Sequence, residues 1–583
     1  MREAVEWMVG GQQGEGVDST GELFAKALVK HGYSVSTYKQ FMSRIKGGHS
    51  NFKLNATKER NYYPGDQVDI LLCLDNESLP KNEPFLAERA VVIQEGTETS
   101  VLFHQGESDY DLLTVPMKSL AKELGNAMVQ NMIAIGISSA LLDLPKELLH
   151  SFIRNVYGKK GDDIVQLNID ALQKGYELTD DYLPHRISPL GAAELTDQLF
   201  ISGNEATGYG SLMAGCRFLS AYPITPASEI MEWLAKELPA VGGTVMQVED
   251  EIAGICFAIG ANYSGVRAMT STSGPGLSLK TEALGMAGMS EVPIVIVNSQ
   301  RGGPSTGLPT KHEQSDLQQM IYGTHGEIPR MVLYPATIED AFYLAAESFN
   351  LAEKYQCPVI VALDLGLSMN KMTVPSFDAK KVAIDRGKLL SDKEAAAFGE
   401  EFFRRYRMTE DGISPRPKPG MEKAIHLTSS NEHSEDGYIT EDPEIRTKMM
   451  TKRLEKVRHA LIDDPFKLQS SDGIEPEYAD VLLVGTGSTY GAIAEAMKRL
   501  NSENGETHAH LHLQQLYPLP QDQLQPLFEN KRIITIENNY TGQLLNLLKQ
   551  HFPIHDRSDA ILQFDGNPFF VETLITKMRK AVS

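Results

Sequence analysis

Short apolar runs alternate along most of the chain with longer stretches in which apolar residues recur at helical spacing. The runs at 292–297 (VPIVIV) and 357–367 (CPVIVALDLGL) are the longest of them. Runs of this length are typical of strands buried on both faces of a parallel sheet. The alternation of strands and helices predicts an α/β fold with open, mostly parallel sheets.

Changes in this pattern divide the chain into four parts. Residues 1–185 begin with a strand, a glycine-rich turn and a helix, and predict a first α/β domain; a linker rich in Pro, Gly and polar residues follows around 185–200. Residues 200–385 predict a second α/β domain. Residues 386–475 are charged and rich in Pro and Ser, which predicts an irregular excursion without a core of its own. Residues 476–583 predict a last α/β domain. A length of 583 residues is enough for three or four domains.

Charge and hydropathy exclude several classes of function. The formal net charge is -22 and no basic stripe stands out, which argues against a nucleic-acid-binding protein. No apolar stretch reaches the roughly 18 residues that a membrane helix needs. The first residues lack a basic start followed by an apolar run, so no secretory signal is predicted and the cytoplasm is the expected compartment.

The four cysteines lie far apart in the sequence, at Cys73, Cys216, Cys256 and Cys357. No CxxC pair exists, so neither an iron–sulfur cluster nor a zinc site is predicted within this chain. We expect these cysteines to be small, buried apolar side chains.

Two glycine-bearing turns in the first domain are compatible with anion binding. The turn GGQQGEG, Gly10–Gly16, lies between a strand and a helix, where backbone N–H groups can approach a phosphate. Its spacing matches neither the dinucleotide nor the P-loop pattern, so a turn without a ligand fits it equally well. The stretch SRIKGGHS at 43–50 can receive a phosphate or a carboxylate, or form a solvated loop.

The segment Tyr222-Pro223-Ile224-Thr225-Pro226 is more specific. Each proline restricts its own φ and the residue before it, so the backbone is held extended. Such a turn can present the Thr225 hydroxyl at the end of a strand. A purely structural turn before a capped helix is the alternative.

Three carboxylates enter an apolar helix at Glu249, Asp250 and Glu251. The helix dipole favours acidic residues in a first turn, and this alone accounts for Glu249 and Asp250. Glu251 immediately precedes the apolar run IAGICFAIGA, so we expect its carboxyl to be partly desolvated and suited to sharing a proton with a ring nitrogen.

The loop SQRGGPSTGLPT at 299–310 follows directly on the buried strand candidate at 292–297. Ligands of α/β proteins bind at the carboxyl ends of parallel strands. The guanidinium of Arg301 suits bidentate capture of a carboxylate there. A surface charge on a Gly/Pro loop is the alternative.

Taken together, several stretches resemble the alpha subunits of 2-oxoacid:ferredoxin oxidoreductases, with the N-terminal part similar to the gamma domain of that family. The combination of YPITP and RGGPSTGLPT is highly specific. The matching stretches are GNEATGYGSLMAGCRFLSAYPITPASEIME (203–232), EDEIAGICFAIGANYSGVRAMTSTSGPGLSL (249–279), SQRGGPSTGLPT (299–310), GYITEDPEIRTKMMTKRLEKV (437–457), VLLVGTGSTYGAIAEAM (481–497) and LQQLYPLP (513–520).

The resemblance implies a gamma-like domain, a pyrimidine-binding domain of the thiamine type and a transketolase C-terminal-like domain. The implied reaction is the oxidative decarboxylation of a 2-oxoacid with coenzyme A, 2-oxoglutarate being preferred and pyruvate possible. Glu251 corresponds to the glutamate that hydrogen-bonds the aminopyrimidine of thiamine diphosphate. Thr225, Arg301 and Thr310 correspond to residues around the substrate. The same resemblance places Tyr222, Pro223 and Ile224 beside the cofactor.

Half of such an active site is missing from this chain. The GDG motif and the Asn-rich stretch that hold magnesium and diphosphate are absent, as are clustered cysteines. The resemblance therefore implies a beta-type partner subunit that carries Mg²⁺ and a [4Fe-4S] cluster and passes electrons to ferredoxin. The alternatives are another thiamine-dependent carbon–carbon transferase and a non-catalytic nucleotide-binding α/β protein.

Overall fold

The computed structural model describes residues 2–43, 48–96, 102–105, 110–180, 190–399, 402–471, 473–503 and 505–582. They form two compact units, a first unit of Met1–Ile201 with Asn370–Ser376 and a second unit of Ser202–Met369 with Phe377–Ser583. Part of the loop predicted at 43–50 and the start of the predicted linker, 185–189, lie outside the described residues.

The strands are β1 (Ala4–Gln12), β2 (Ser34–Gln40), β3 (His49–Thr57), β4 (Val68–Cys73), β5 (Leu86–Glu95), β6 (Leu102–Gln105), β7 (Asp111–Val115), β8 (Gln198–Ser202), β9 (Phe218–Ala221), β10 (Thr244–Gln247), β11 (Ala268–Thr272), β12 (Ile294–Gln300), β13 (Met331–Leu333), β14 (Pro358–Asp364), β15 (Lys371–Pro375), β16 (Phe466–Ser470), β17 (Val481–Thr486), β18 (His508–Leu513), β19 (Gln515–Tyr517), β20 (Arg532–Glu537) and β21 (Ser558–Leu562).

The helices are α1 (Val17–Lys30), α2 (Ser78–Asn82), α3 (Met117–Glu123), α4 (Gln130–Leu141), α5 (Lys146–Tyr157), α6 (Asp162–Asp180), α7 (Gly203–Met213), α8 (Ser228–Glu237), α9 (Glu251–Tyr263), α10 (Gly274–Met289), α11 (Leu317–Tyr322), α12 (Ile338–Tyr355), α13 (Leu365–Met369), α14 (Asp392–Ala397), α15 (Pro443–Glu455), α16 (Thr489–Asn501), α17 (Gln521–Phe528), α18 (Gln543–His551) and α19 (Val571–Val582). No helix among the described residues is both long enough and apolar enough to cross a membrane.

The sheet of the first unit has the strand order β6-β7-β5-β4-β1-β3-β2-β15-β8. The expectation of a mostly parallel sheet is wrong here. The pairs β1–β4, β4–β5 and β5–β7 are parallel, but β3 is antiparallel to both β1 and β2. The connection between β2 and β3 is too short for the crossover that a parallel pair needs, which accounts for the antiparallel arrangement.

The second unit contains two sheets. The larger has the order β10-β9-β11-β12-β14-β13-β19, and its strands are parallel except for β19. Every residue of β12 and β14 is buried, as the apolar runs predicted. The smaller sheet has the order β16-β18-β17-β20-β21 and is parallel except for β16.

Buried ion pairs fasten the largely irregular segment 386–475 to the rest of the second unit. The carboxylate of Glu291, 0% exposed, accepts hydrogen bonds from Lys452 (2.6 Å) and Lys456 (2.8 Å). Glu353 is likewise 2.8 Å from Arg416. The segment also has a small apolar cluster of Ala395, Phe403, Met421 and Ala424. The division of the second unit into three sequence parts remains a prediction.

Candidate active site

The motifs singled out from the sequence lie at one edge of the larger sheet in the second unit. Because β10, β9, β11 and β12 are parallel neighbours, their carboxyl ends meet at the same edge. Thr225 follows β9, Glu251 follows β10, and Arg301 follows β12 directly. Adjacent strands lie about 4.8 Å apart, so these three side chains start within a few strand spacings of one another.

Glu251 is the first residue of α9, and it is buried. The residue is 7% exposed, and the preceding Asp250 caps the helix by accepting a hydrogen bond from the Ala253 N–H (2.7 Å). Among the residues that the structure describes, none donates a hydrogen bond to the Glu251 carboxylate. The carboxylate therefore keeps acceptor capacity for a group that binds beside it.

Gly276 makes room for this carboxylate. A Cβ atom on Gly276 would lie 2.9 Å from Glu251 Oε1 and 2.1 Å from Thr272 Oγ1. Both distances are shorter than real contacts of a Cβ atom. The absence of a side chain on the first turn of α10 therefore lets Glu251 occupy its observed position.

Lys280 is a site residue that the sequence motifs missed. Its side chain is 0% exposed, and its Nζ donates a hydrogen bond to the backbone carbonyl of Glu251 (2.8 Å). Burial lowers the pKa of Lys280 to about 8, and the nearby carboxylates of Glu251 and Asp250 oppose that shift. A lysine on the buried stripe of α10, beside Leu277 and Leu284, was the available signal.

Arg301 joins two of the sequence motifs. Its Nη1 donates a hydrogen bond to the Thr225 carbonyl (2.7 Å), and its Nη2 donates to the Thr306 carbonyl (3.5 Å). The residue is 7% exposed, and burial lowers the pKa of its guanidinium. Within the described part of the chain, the buried Nε has no hydrogen-bond partner. Arg301 thus retains an unused donor that can bind a carboxylate.

A cavity of about 600 Å³ lies beside Arg301. Its walls are the first turn of α10, the loop after β12 and the residues before α11. The lining residues are Gly274, Pro275, Ser278, Arg301, Gly302, Gly303, Pro304, Ser305, Thr306, Glu313, Ser315, Asp316 and Gln319.

The loop after β12 is closed on itself. The Gly302 N–H donates to the Lys311 carbonyl (3.0 Å), and the Leu308 N–H donates to the Gly302 carbonyl (2.8 Å). Thr310 is half-buried in this loop and is not among the residues that line the cavity. The structure therefore brings Thr225 and Arg301 into contact but does not place Thr310 in the same cavity wall.

Asp316 is a second residue that the sequence motifs missed. Burial raises the pKa of Asp316 to about 6, although a hydrogen bond from Asn298 Nδ2 (3.1 Å) and the charge of Arg301 act in the opposite direction. A Cβ atom on Gly274 would lie 2.7 Å from the Asp316 carboxylate. The carboxylate therefore lies against the first turn of α10, inside the cavity wall.

An exposed apolar surface adjoins Glu251. Tyr222 is 42% exposed, and on α9 the exposed fractions are 50% for Ile252 and 51% for Phe257. Cys256 is exposed on the same helix, whereas the other cysteines are buried. The expectation that all four are buried is wrong for Cys256, because no described residue covers this apolar face of α9. Pro223 and Ile224 are half-buried beside Tyr222.

The glycine turn of the first unit is occupied by its own acidic side chain. Glu15 accepts a hydrogen bond from the Gln12 N–H (3.3 Å) and lies 3.4 Å from Lys118 Nζ. A phosphate would use the same kinds of donor, an amide and an ammonium. The geometry favours a turn without a ligand.

The residues at this edge fit the aminopyrimidine of thiamine diphosphate. The Glu251 carboxylate, to which no described residue donates a hydrogen bond, offers the acid–base group that such a ring needs, and the exposed apolar side chains of Tyr222 and Ile252 lie on the adjoining surface. The described residues contain no group of His, Cys, Asp and Glu side chains arranged to hold a metal ion. The ring end of the cofactor therefore has a candidate site here.

Comparison with known proteins assigns the chain to a family. Residues 209–452 match the family described as "Pyruvate flavodoxin/ferredoxin oxidoreductase, thiamine diP-bdg", and residues 6–178 match "Pyruvate ferredoxin/flavodoxin oxidoreductase". The 2-oxoacid:ferredoxin oxidoreductase subunit alpha of a Sulfolobus species is 34% identical, covering 99% of this chain and 97% of that protein. The 2-oxoglutarate oxidoreductase subunit KorA of Mycobacterium tuberculosis is 30% identical, covering 98% of this chain and 91% of that protein.

A solved structure agrees over the full length. The 2-oxoglutarate:ferredoxin oxidoreductase from Magnetococcus marinus, with 2-oxoglutarate, coenzyme A and succinyl-CoA bound, is 33% identical, with a TM-score of 0.92 and complete coverage of both chains. The α/β fold and the resemblance noted in the sequence are thereby confirmed. The chain belongs to the family of 2-oxoacid:ferredoxin oxidoreductase alpha subunits and is thus a subunit of an oxidoreductase.

Proposed function

We propose that this chain, paired with a beta-type subunit, catalyses the coenzyme A-dependent oxidative decarboxylation of a 2-oxoacid and that electrons pass to ferredoxin. 2-Oxoglutarate is the preferred substrate and pyruvate the second. The proposal rests on full-length relatives that are named for this reaction and on the bound molecules of the Magnetococcus marinus enzyme. The two alternatives, a thiamine-dependent transferase and a nucleotide-binding protein, fit less well, because those relatives are oxidoreductase subunits.

One observation carries the assignment of roles: Glu251 and Arg301 are both buried residues at the carboxyl edge of the same parallel sheet. Among the described residues none donates a hydrogen bond to the Glu251 carboxylate, and the Arg301 Nε has no partner. Thiamine diphosphate supplies, when bound, a carbon nucleophile and a sink for the electrons released with carbon dioxide. Glu251 holds the ring end of the cofactor and shares a proton with it. Tyr222, Pro223 and Ile224 form the neighbouring wall.

Arg301 binds the substrate carboxylate in this scheme. Its Nη1 is held by the Thr225 carbonyl, which fixes the guanidinium and leaves Nε available. The Thr225 hydroxyl is placed to hydrogen-bond the keto oxygen, and Thr310 supports the loop. Holding the two reacting groups in this geometry can lower the barrier by several kcal/mol.

The charges that line the cavity indicate where the second carboxylate of 2-oxoglutarate binds. Among the described lining residues, Arg301 is the cation and Glu313 and Asp316 are carboxylic acids. A second substrate carboxylate would be repelled by the ionised acids, so we propose that the cation that binds it lies outside this cavity, on the beta-type subunit.

The exposed apolar surface at Glu251 supports a partner at this site. Among the described strands β10 lies at the edge of its sheet with no neighbour on one side, and Met246 on it is 38% exposed. Ile252 and Phe257 extend the apolar surface along α9. Such patches mark protein interfaces. We propose that the beta-type subunit covers this surface and contributes Mg²⁺, the diphosphate site and the [4Fe-4S] cluster.

Co-expression with the beta-type subunit, followed by assays with several 2-oxoacids, coenzyme A and a redox dye, tests the proposed function.

Glu251→Gln should leave the complex intact and lower kcat by at least about 100-fold, because general acid–base contributions are of that size. Arg301→Ala should chiefly raise the KM for the 2-oxoacid. Arg458→Ala, which removes an arginine with a 66% exposed side chain, is the matched control and should change neither. Near-normal turnover in Glu251→Gln would refute the assignment.

A further inference from the structure

Lys280 is a buried charge that the proposed reaction does not use. Lysine is almost never fully buried without a paired carboxylate, because removing an ammonium from water is costly. The Lys280 side chain is 0% exposed, yet its hydrogen bond goes to a backbone carbonyl, that of Glu251. The groups that face it electrostatically are Glu251, Asp250 and the Cys256 thiol.

Packing holds the Lys280 ammonium against the first turn of α9, which begins at Glu251. A Cβ atom on Gly254 would lie 3.5 Å from Lys280 Nζ, so the lysine reaches the first turn of α9 at a position without a side chain. The neighbours of Lys280 on the buried face of α10 include Leu277, Ala283 and Leu284. An apolar residue would suit this face better on packing grounds, which indicates that the charge has a role besides stability.

We propose that Lys280 is a positioning residue for Glu251: its buried ammonium donates to the Glu251 carbonyl, holds the first turn of α9 and so fixes the Glu251 carboxyl where it meets the group bound beside it. This inference rests on the proposed function. A carboxyl that must share a proton with a bound ring has to be held within hydrogen-bond distance of it, so the residue that fixes the turn affects turnover without touching the ring.

The positive charge on Lys280 should then determine how turnover changes with pH on the alkaline side. Burial lowers the pKa of Lys280 to about 8, with Glu251, Asp250 and Cys256 acting in the opposite direction. Below that pH the ammonium is charged and turnover should be constant. Above it the charge is lost, the hydrogen bond to the Glu251 carbonyl weakens, the first turn of α9 is held less firmly, and turnover should fall.

Lys280→Met in the complete alpha–beta complex removes the charge and keeps a flexible apolar side chain. Turnover should fall about tenfold or more, because a misplaced Glu251 carboxyl loses its geometry toward the bound ring, and the inflection near pH 8 should vanish. Lys280→Arg keeps a positive charge at all accessible pH values, so it should retain most of the turnover and also lose the inflection.

Thermal unfolding of the full chain provides a readout that is independent of activity. Below about pH 8 Lys280 is charged in both the folded and unfolded chain, and folding carries the desolvation cost. Between about 8 and the ordinary lysine pKa of 10.5 only the unfolded chain stays charged, so the cost disappears. Lys280→Met should therefore raise the Tm by about 2 °C or more at pH 7, with a smaller gain at higher pH.

Lys452→Met is the matched control. Lys452 is also buried, with its pKa lowered to about 8, but it donates to Glu291, which precedes the amino end of β12. Strand β12 is about 20 Å long and Arg301 follows its other end, so this lysine is remote from the site. The variant should lower the Tm, because Glu291 loses a partner, and should leave the pH profile of turnover unchanged.

Three outcomes would overturn the proposal for Lys280: wild-type turnover in Lys280→Met, an inflection near pH 8 that persists in it, or a chain that no longer folds, which would make the residue structural. Glu251→Gln separates these failures from a failure of the proposed function. If Glu251→Gln is inactive while Lys280→Met is normal, only the inference about Lys280 is wrong.

Discussion

At the scale of single residues, the site depends on close approaches that the sequence does not display. Glu251 reaches its position because Gly276 has no side chain, and Arg301 is fixed by a carbonyl rather than by an acid. The sequence predicted Thr225 and Arg301 at strand ends and Glu251 at the start of an apolar helix, and the structure has them at these positions. The sequence motifs did not identify Lys280 and Asp316. Lys280 lies on helix α10 and Asp316 immediately precedes α11, outside the motifs.

Gly276→Ala tests the close approach directly. The new Cβ atom would meet Thr272 Oγ1 and Glu251 Oε1, so Glu251 must move. We expect turnover to fall at least tenfold and the free energy of unfolding to drop by about 1–3 kcal/mol, as for other overpacked positions. Gly285→Ala on the same helix is the control, since a Cβ atom there meets nothing within 4 Å. It should be neutral or stabilising by up to about 1 kcal/mol, and equal effects of the two changes would contradict this account.

Asp316 should make substrate binding dependent on pH. Its pKa, raised by burial to about 6, means that the carboxyl is neutral below that pH and charged above it. The charged form competes with the substrate carboxylate for Arg301, so the KM for the 2-oxoacid should rise as the pH increases through about 6. Because the folded-state pKa is raised, the same ionisation should also lower stability as the pH rises through this window.

Steady-state kinetics of Asp316→Asn provide the check. The amide cannot ionise, so the KM should stay at its low-pH value across this range. The other carboxylic acid that lines this cavity, among the described residues, is Glu313, whose pKa burial also raises. A KM that still rises in Asp316→Asn would assign the pH dependence to Glu313 instead.

At the scale of elements, the apolar runs predicted the parallel core strands β12 and β14 correctly, because strands buried on both faces have no polar alternation to obscure them. The antiparallel strands β3 and β15 and the strand β19, which joins the larger sheet from the C-terminal part, could not be predicted. Their pairing is decided by long-range contacts, and a strand of three to nine residues carries no signal for its partner.

The exposed apolar face of α9 leads to a prediction about assembly. Phe257→Asp places a charge on a surface that we assign to the beta-type subunit, and burying an unpaired charge is unfavourable. The variant chain should fold with an unchanged Tm but no longer co-purify with its partner. Tyr478→Asp, at a residue that is 80% exposed, is the control and should still assemble. Normal co-purification of Phe257→Asp would exclude this face as the interface.

At the scale of the whole molecule, we propose that the chain supplies half of an active site. The second unit brings Glu251 and Arg301 to one sheet edge, and an exposed apolar surface adjoins them. The missing diphosphate motif and the scattered cysteines predict that a partner supplies the other half, and this stays a prediction. What it did not predict is that residues 370–376 belong to the first unit, because only the fold reveals which sheet a short strand joins.

The most direct measurement is a crystal or cryo-electron microscopy structure of the alpha–beta complex with thiamine diphosphate and 2-oxoglutarate. The account predicts a Glu251 carboxylate oxygen within about 3 Å of a ring nitrogen of the pyrimidine, and the Arg301 guanidinium within about 3 Å of a substrate carboxylate. A cofactor ring bound elsewhere, or a Glu251 side chain that contacts only protein, would contradict it.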